Sequence, residues 1–205
     1  MTKLFYAEQL QDLLYPKATS DAKMDEDVAL AVISQARDEV IRLEVLKNKQ
    51  ETNIIPDSWL NEFTGDDAIE IKKDKYGKYY TDLPVGVIAM IDNLGVYNVW
   101  IQGKDDLLIP VPSSFKMMYK RQSALGLEGE LGYYLSGKKR LIFIQDMPLD
   151  CKIECRLLAQ SSDLDEYDEF PCDDAMIPTI LSRAVQLYQI HKGIPEDKIN
   201  NNISE

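Results

Sequence analysis

The run GYYLSGKK, residues 132–139, has the spacing of a phosphate-cradling loop as far as its first lysine. At the next position, where magnesium chemistry needs a Ser or Thr hydroxyl, stands Lys139, and the run lies inside a hairpin-like pattern instead of between a strand and a helix. It reads as a lysine-rich hairpin tip. Cys151 and Cys155 are four apart, and on a strand that separates them by about 13 Å along one face, too far for one metal ion. Cys172 could join them only if the acidic stretch before it folded back, and His191, the single histidine, only by a further coincidence. A Ser or Cys nucleophile paired with His191 would need a third group to orient the ring, whereas His191 is already explained as a last-turn helix residue. Asp163, Asp165 and Asp168 offer hard oxygen ligands, but a calcium loop wants Gly where Asp168 stands and Glu where Asp174 stands. Carboxylate pairs for glycoside hydrolysis carry little information in so acidic a chain. No residue is assigned a catalytic, cofactor-binding or metal-ligating role.

Composition narrows the classes further. The chain has 205 residues, 45% hydrophobic and 28% charged, enough for a sizeable core without disulfide staples. Three cysteines cannot all pair within the chain and read as free thiols of a reducing compartment. The formal net charge of −12 disfavours tight binding to bare nucleic acid or to an anionic membrane. The longest apolar stretch, residues 85–91, is far shorter than the roughly 20 residues of a membrane span, and residues 1–10 lack a secretory pattern. These features predict a soluble intracellular protein.

The elements that must position any site fall into five segments. Residues 1–19 predict an arm, with a short apolar-periodic piece stopped by Pro16. Over 20–55 the stripe Ala29, Val32, Ile33, Ala36, Val40 and Leu43 predicts one long amphipathic helix. Residues 56–172 predict a β domain: short Val-, Ile- and Tyr-rich runs, a turn at 75–78, a hairpin of 85–91 with 96–101, and a second of 133–135 with 140–144. A strand at 151–159 follows, with Cys151, Ile153, Cys155, Leu157 and Ala159 on one face and Lys152, Glu154, Arg156 and Gln160 on the other. Within this segment, residues 161–174 hold seven acids and no base, which predicts a solvated loop. Residues 173–193 predict a second helix with Pro178 as its first helical residue, an apolar side of Ile180, Leu181, Ala184, Leu187 and Tyr188, and Gly193 as its stop. Residues 194–205 predict a polar tail ordered only by a partner. The fold class is α+β: a long N-terminal helix and a C-terminal helix packed together, an inserted antiparallel β domain, sandwich or barrel-like, and extended termini.

Three segments carry a family resemblance. YYTDLPVGVIAMIDNLGVYNVWIQG with LLIPVP after it (79–112), YYLSGKKRLIFIQDMPLDCKIECRLLA (133–159) and the helix ending in PEDKINNNIS (178–204) together resemble the head-to-tail connector, or tail ring and adaptor, proteins of tailed bacteriophages, those of crAss-like phages in particular. The resemblance implies a virion protein without an active site. It implies a homo-oligomeric ring, commonly a dodecamer, below the portal protein, joined to neighbouring tail ring proteins, with genome DNA passing through the lumen without tight binding. The long helix would pack subunits around the ring, and Ile194, Pro195, Asp197, Ile199 and Asn200 would dock the tail on a neighbouring ring. Localisation would be the virion neck, and the host cytoplasm during assembly. The residues alone leave two other classes open: an intracellular enzyme using carboxylates, and a monomeric protein-binding module.

Overall fold

A computed structural model describes residues 1–16, 24–51, 55–90, 94–104, 107–112, 115 and 131–192, without the side chains of residues 49–51 and 191. The fold is mixed α+β, with three helices and two sheets among the described residues. The chain divides into two compact units, a discontinuous helical unit (Met1–Trp59 and Ser161–Glu205) and a continuous β unit (Leu60–Gln160).

The first helix, α1 (Lys3–Leu14), begins with Thr2, whose hydroxyl accepts the Phe5 N–H. It buries Tyr6, Ala7 and Leu10. Within the arm expected over 1–19, residues 3–14 form this docked helix, because one periodic face is apolar enough to bury. The long helix is second in the chain, α2 (Glu26–Glu51), opened by the Asp25 carboxylate accepting the Asp27 N–H at 3.0 Å. Its buried stripe is Ala29, Val32, Ile33, Ala36, Val40, Ile41 and Val45. Leu43, expected within the stripe, is 66% exposed, since the burial rotates onto Ile41 and Val45. The third helix, α3 (Ile177–Lys192), buries Ile180, Ala184, Leu187 and Tyr188. Both α1 and α3 pack on α2, with Arg183 bonded to Glu39 at 2.7 Å and the hydroxyls of Tyr15 and Tyr188 in contact.

Residues 161–174 correct the expectation of a solvated loop. Their carboxylates mostly face water, but their backbone is part of the helical unit. Leu4 N–H donates to the Glu166 carbonyl, Phe170 N–H to the Met1 carbonyl, and Thr2 forms an antiparallel bridge with Glu169. The buried Lys3 ammonium donates to the carbonyls of Ser161 and Leu164, at 3.1 and 2.9 Å. Asp173 accepts from the Trp59 indole at 2.9 Å and from the Ser58 hydroxyl. Beneath this segment lies Arg37, with no exposed surface, in the middle of the apolar stripe of α2. Its guanidinium donates twice to the Pro171 carbonyl (3.0 and 2.6 Å), to Ser161 Oγ and to Asp38, and lies 5.8 Å from the Phe170 ring centroid. Asp38 in turn accepts from the Ser161 amide and hydroxyl.

In the β unit, β9 (Lys152–Leu157) is the centre of a four-stranded antiparallel sheet. β5 (Val96–Ile101) pairs along one edge, while β1 (Asn61–Phe63) and β2 (Ile69–Glu70) follow each other along the other. Ile153, Cys155 and Leu157 are fully buried, as period two requires. The second sheet runs β3 (Lys72–Lys73), β4 (Tyr79–Asp82), β8 (Arg140–Phe143), β7 (Gly132–Ser136), β6 (Ile109–Pro110). β6 lies parallel to β7, so this sheet is mixed; the 21 residues between them are long enough for the crossover a parallel pair needs. The β7–β8 hairpin forms with Gly137 at φ 69° in its turn. The expected hairpin of 85–91 with 96–101 does not: the described residues 85–90 form no strand and make a single bridge, Val87 to Ala159. Ile88 N–H instead donates to the Leu158 carbonyl, and Leu158 N–H to the Gly95 carbonyl. A side chain at Gly95 would collide with Val87 and the Ile88 carbonyl, so the close approach there depends on glycine.

Two stability outcomes follow from the cores. Replacing Arg37 by Met strands the Pro171 carbonyl and unbalances Asp38, and should lower the unfolding free energy by about 3 kcal/mol in urea titration. Tyr133 is fully buried and its hydroxyl has no hydrogen-bond partner among the described residues. Tyr133→Phe should therefore raise stability, by about 1 kcal/mol in the same titration, and a loss instead would mean that the hydroxyl is satisfied.

Candidate functional site

The chemistry-bearing residues are dispersed by the fold. Among the described residues no group of three or more His, Cys, Asp or Glu is placed to hold a metal ion. All three cysteines are free. Burial pushes the Cys155 thiol up to about 12. Cys172 is raised to about 11, again by burial, with Asp173 and Asp174 adding to the rise and Arg37 opposing it. Both are protonated near neutral pH and neither is an activated nucleophile. The His191 side chain lies outside the described residues, as do Ile194, Pro195, Asp197, Ile199 and Asn200. No described helix is long and apolar enough to cross a membrane.

What the fold does gather is charge. The β unit holds 13 Lys and Arg against 14 Asp and Glu, whereas the helical unit holds 10 against 21, so nearly all of the net −12 sits on the helical unit. Within the β unit the segments 72–82 and 132–144, which supply β3, β4, β7 and β8, contain seven Lys and Arg and only two Asp. The sheet register decides where these charges go. Asp82 pairs with Arg140 and Arg140 with Ser136 across β4, β8 and β7, at the end where the β7–β8 turn carries Lys138 and Lys139. Lys75 and Lys78 sit at the opposite end, in the β3–β4 turn.

At the first of these ends an open cleft of about 530 Å³ is lined by Asp82, Leu83, Ser136, Lys138, Lys139 and Arg140. Arg140 Nε donates to Asp82 at 2.7 Å, Lys72 Nζ to the same carboxylate at 3.3 Å, and the Arg140 guanidinium stacks 4.4 Å from the Tyr80 ring centroid. Burial pushes the Asp82 carboxyl up, but the hydrogen bonds and charges of Arg140 and Lys72 outweigh it and hold the group below the usual carboxylate range. Leu83 N–H donates to the Lys139 carbonyl and Val87 N–H to the Lys138 carbonyl, at 2.7 and 2.8 Å, so the turn is anchored on its strand-side neighbour. The cleft is thus a cationic surface in which Asp82 is paired with Arg140 and Lys72, and Lys138 Nζ donates to Gln160 Oε1 at 3.2 Å.

The P-loop-like spacing at 132–139 was informative only in its lysines, which stand on this hairpin tip with no helix after it. The concentration of cations went unread because the two segments are some 50 residues apart in sequence and the chain average is acidic. The signal that could have found it is the pair of short basic blocks, KKDKYGK and GKKR.

Comparison of the chain with protein-family models and with curated proteins finds no match in either.

Two measurements test this site. Cys155 and Cys172 should stay unlabelled by a thiol reagent at about pH 8 in the folded protein and label on unfolding; rapid native labelling of either would refute its packing. The Asp82 contribution to stability, present above the unfolded carboxylate pKa, should fade as pH falls through the lower folded value, and Asp82→Asn should abolish that part of the acid dependence.

Proposed function

We propose that this chain is a non-enzymatic structural virion protein, a head-to-tail connector of the tail ring or adaptor kind, working as a homo-oligomeric ring between a portal protein and the next tail component. The observation that carries the reading is the division of charge: a strongly acidic helical unit and a β unit with a cationic sheet end, on one chain. A closed ring needs each subunit to offer two different, complementary surfaces. The resemblance of segments 79–112, 133–159 and 178–204 to connector proteins points the same way. Large apolar side chains left exposed on the helices, Leu13, Leu43 and Ile190, add a second kind of contact for neighbours.

In this reading the discontinuous helical unit packs subunits around the ring and carries the β unit as an insertion, sandwich or barrel-like in form. Its acidic surface suits a lumen through which genome DNA slides without sticking, because like charge prevents the phosphate contacts that hold DNA. Residues 194–205, through Ile194, Pro195, Asp197, Ile199 and Asn200, dock on a neighbouring ring. The ring, a dodecamer by resemblance, resides in the virion neck after assembly in the host cytoplasm.

Gradient sedimentation of a lysate from the native source, with quantitative mass spectrometry across the fractions, tests this. The chain should travel with DNA-filled particles at a small fixed ratio to the major capsid protein, and remaining at the top of the gradient would refute a permanent virion role. Deleting residues 194–205 should block incorporation into particles while the thermal melt of the purified protein stays within about 2 °C.

A further inference from the structure

We propose that the cationic cleft at the β7–β8 turn docks the exposed carboxylates of residues 163–174 of a second copy of this chain. The inference deepens the assembly reading and rests on it in naming a second copy as the partner.

The cleft is built for an anionic partner. Lys138 and Lys139 are exposed on a turn whose carbonyls are held by Val87 and Leu83, and Gly137 takes the left-handed conformation that shapes it. Fixing the turn in advance lowers the ordering cost of a contact made there. The donor surface is equally fixed. Asp163, Asp165, Asp168 and Glu169 are exposed, yet their backbone is tied down by Lys3, Leu4 and the Phe170 amide. Both partners therefore meet with little backbone freedom left to lose.

A polyphosphate is the other anion that such a cleft could take, and two observations disfavour it. The Tyr80 and Tyr79 rings, which could otherwise stack on bases, are already covered by Arg140 and Lys73 at 4.4 and 4.6 Å. A helical unit with 10 Lys and Arg against 21 Asp and Glu on the same chain repels a long phosphate backbone but supplies carboxylates to a neighbour. In the ring reading the cleft of each copy meets the carboxylates of the next, so the contact is heterologous, its charges setting register and encounter rate.

The test is a charge exchange read by sedimentation velocity. Lys138→Glu with Lys139→Glu should weaken self-association at least about tenfold, and Asp168→Lys with Glu169→Lys should do the same. An equimolar mixture of the two variants restores opposite charges at every contact and should recover wild-type association. Raising salt from about 0.05 M to about 1 M should dissociate the wild type in the same way. Melting curves check that both variants fold, and Lys138→Ala with Lys139→Ala, which leaves no repulsion, should give a smaller loss in the same direction. Wild-type association by either charge variant, failure of the mixture to recover, or a wild type that stays monomeric would overturn the proposal. So would loss of binding to a duplex DNA probe by the lysine variant with its sedimentation unchanged. If the chain travels with particles while the charge exchange has no effect, the contact fails and the connector reading survives; if it is absent from particles while the exchange works, the reverse holds.

Discussion

Arg37 is a full charge placed where α2 has no exposed surface, and the helical unit is organised around satisfying it. A guanidinium taken out of water is tolerated only when nearly every donor finds an acceptor. Here the acceptors are the Pro171 carbonyl, the Ser161 hydroxyl, the Trp59 carbonyl at 3.5 Å, and Asp38 beside it. Trp59 is the last residue before the β unit and Ser161 the first after it. The cation thereby fixes, within the helical unit, both points at which the chain leaves and returns. Asp38 closes the arrangement by binding the Ser161 amide as well as its hydroxyl.

The same economy explains the acidic stretch. A run of seven carboxylates cannot be buried, but its backbone can be, and the fold separates the two. Among the described residues Lys3 supplies the one buried ammonium, which donates to carbonyls and not to carboxylates, while α1 and the Met1 carbonyl complete the pairing. The result is a rigid strip that presents negative charge outward. A flexible loop of the same composition would lose that charge placement to conformational entropy on every contact. On the β unit, the Asp82, Arg140 and Lys72 group does the converse, using one carboxylate to hold cations in place at the mouth of the cleft.

What the described residues gather is a division of charge between surfaces. The Cys155 and Cys172 thiols are held protonated by burial, and the cleft at the hairpin tip is open and cationic. Where oppositely charged surfaces meet, register and encounter rate follow from complementary potential. A net charge of −12 averaged over the chain conceals this, because the helical unit carries nearly all of it.

The sequence by itself determined what depends on local period and turn chemistry. The alternation of β9, the β7–β8 hairpin with Gly137, and the apolar side of α3 with Pro178 in its first turn were all legible, since each rests on contacts between near neighbours in the chain. Tertiary structure alone decided the rest. Residues 85–90 have a strand's composition but make one bridge, because β5 pairs with β9 while the Val87 and Ile88 amides go to the Lys138 and Leu158 carbonyls. Leu43 faces water and Arg37 does not, because burial on α2 follows where α1, α3 and residues 161–171 lie, and a hydrophobicity stripe cannot register an acceptor set more than a hundred residues away. The cationic cleft belongs to the same class: its lysines and Asp82 meet only through the pairing of β4 with β8, a long-range register that no window along the chain contains.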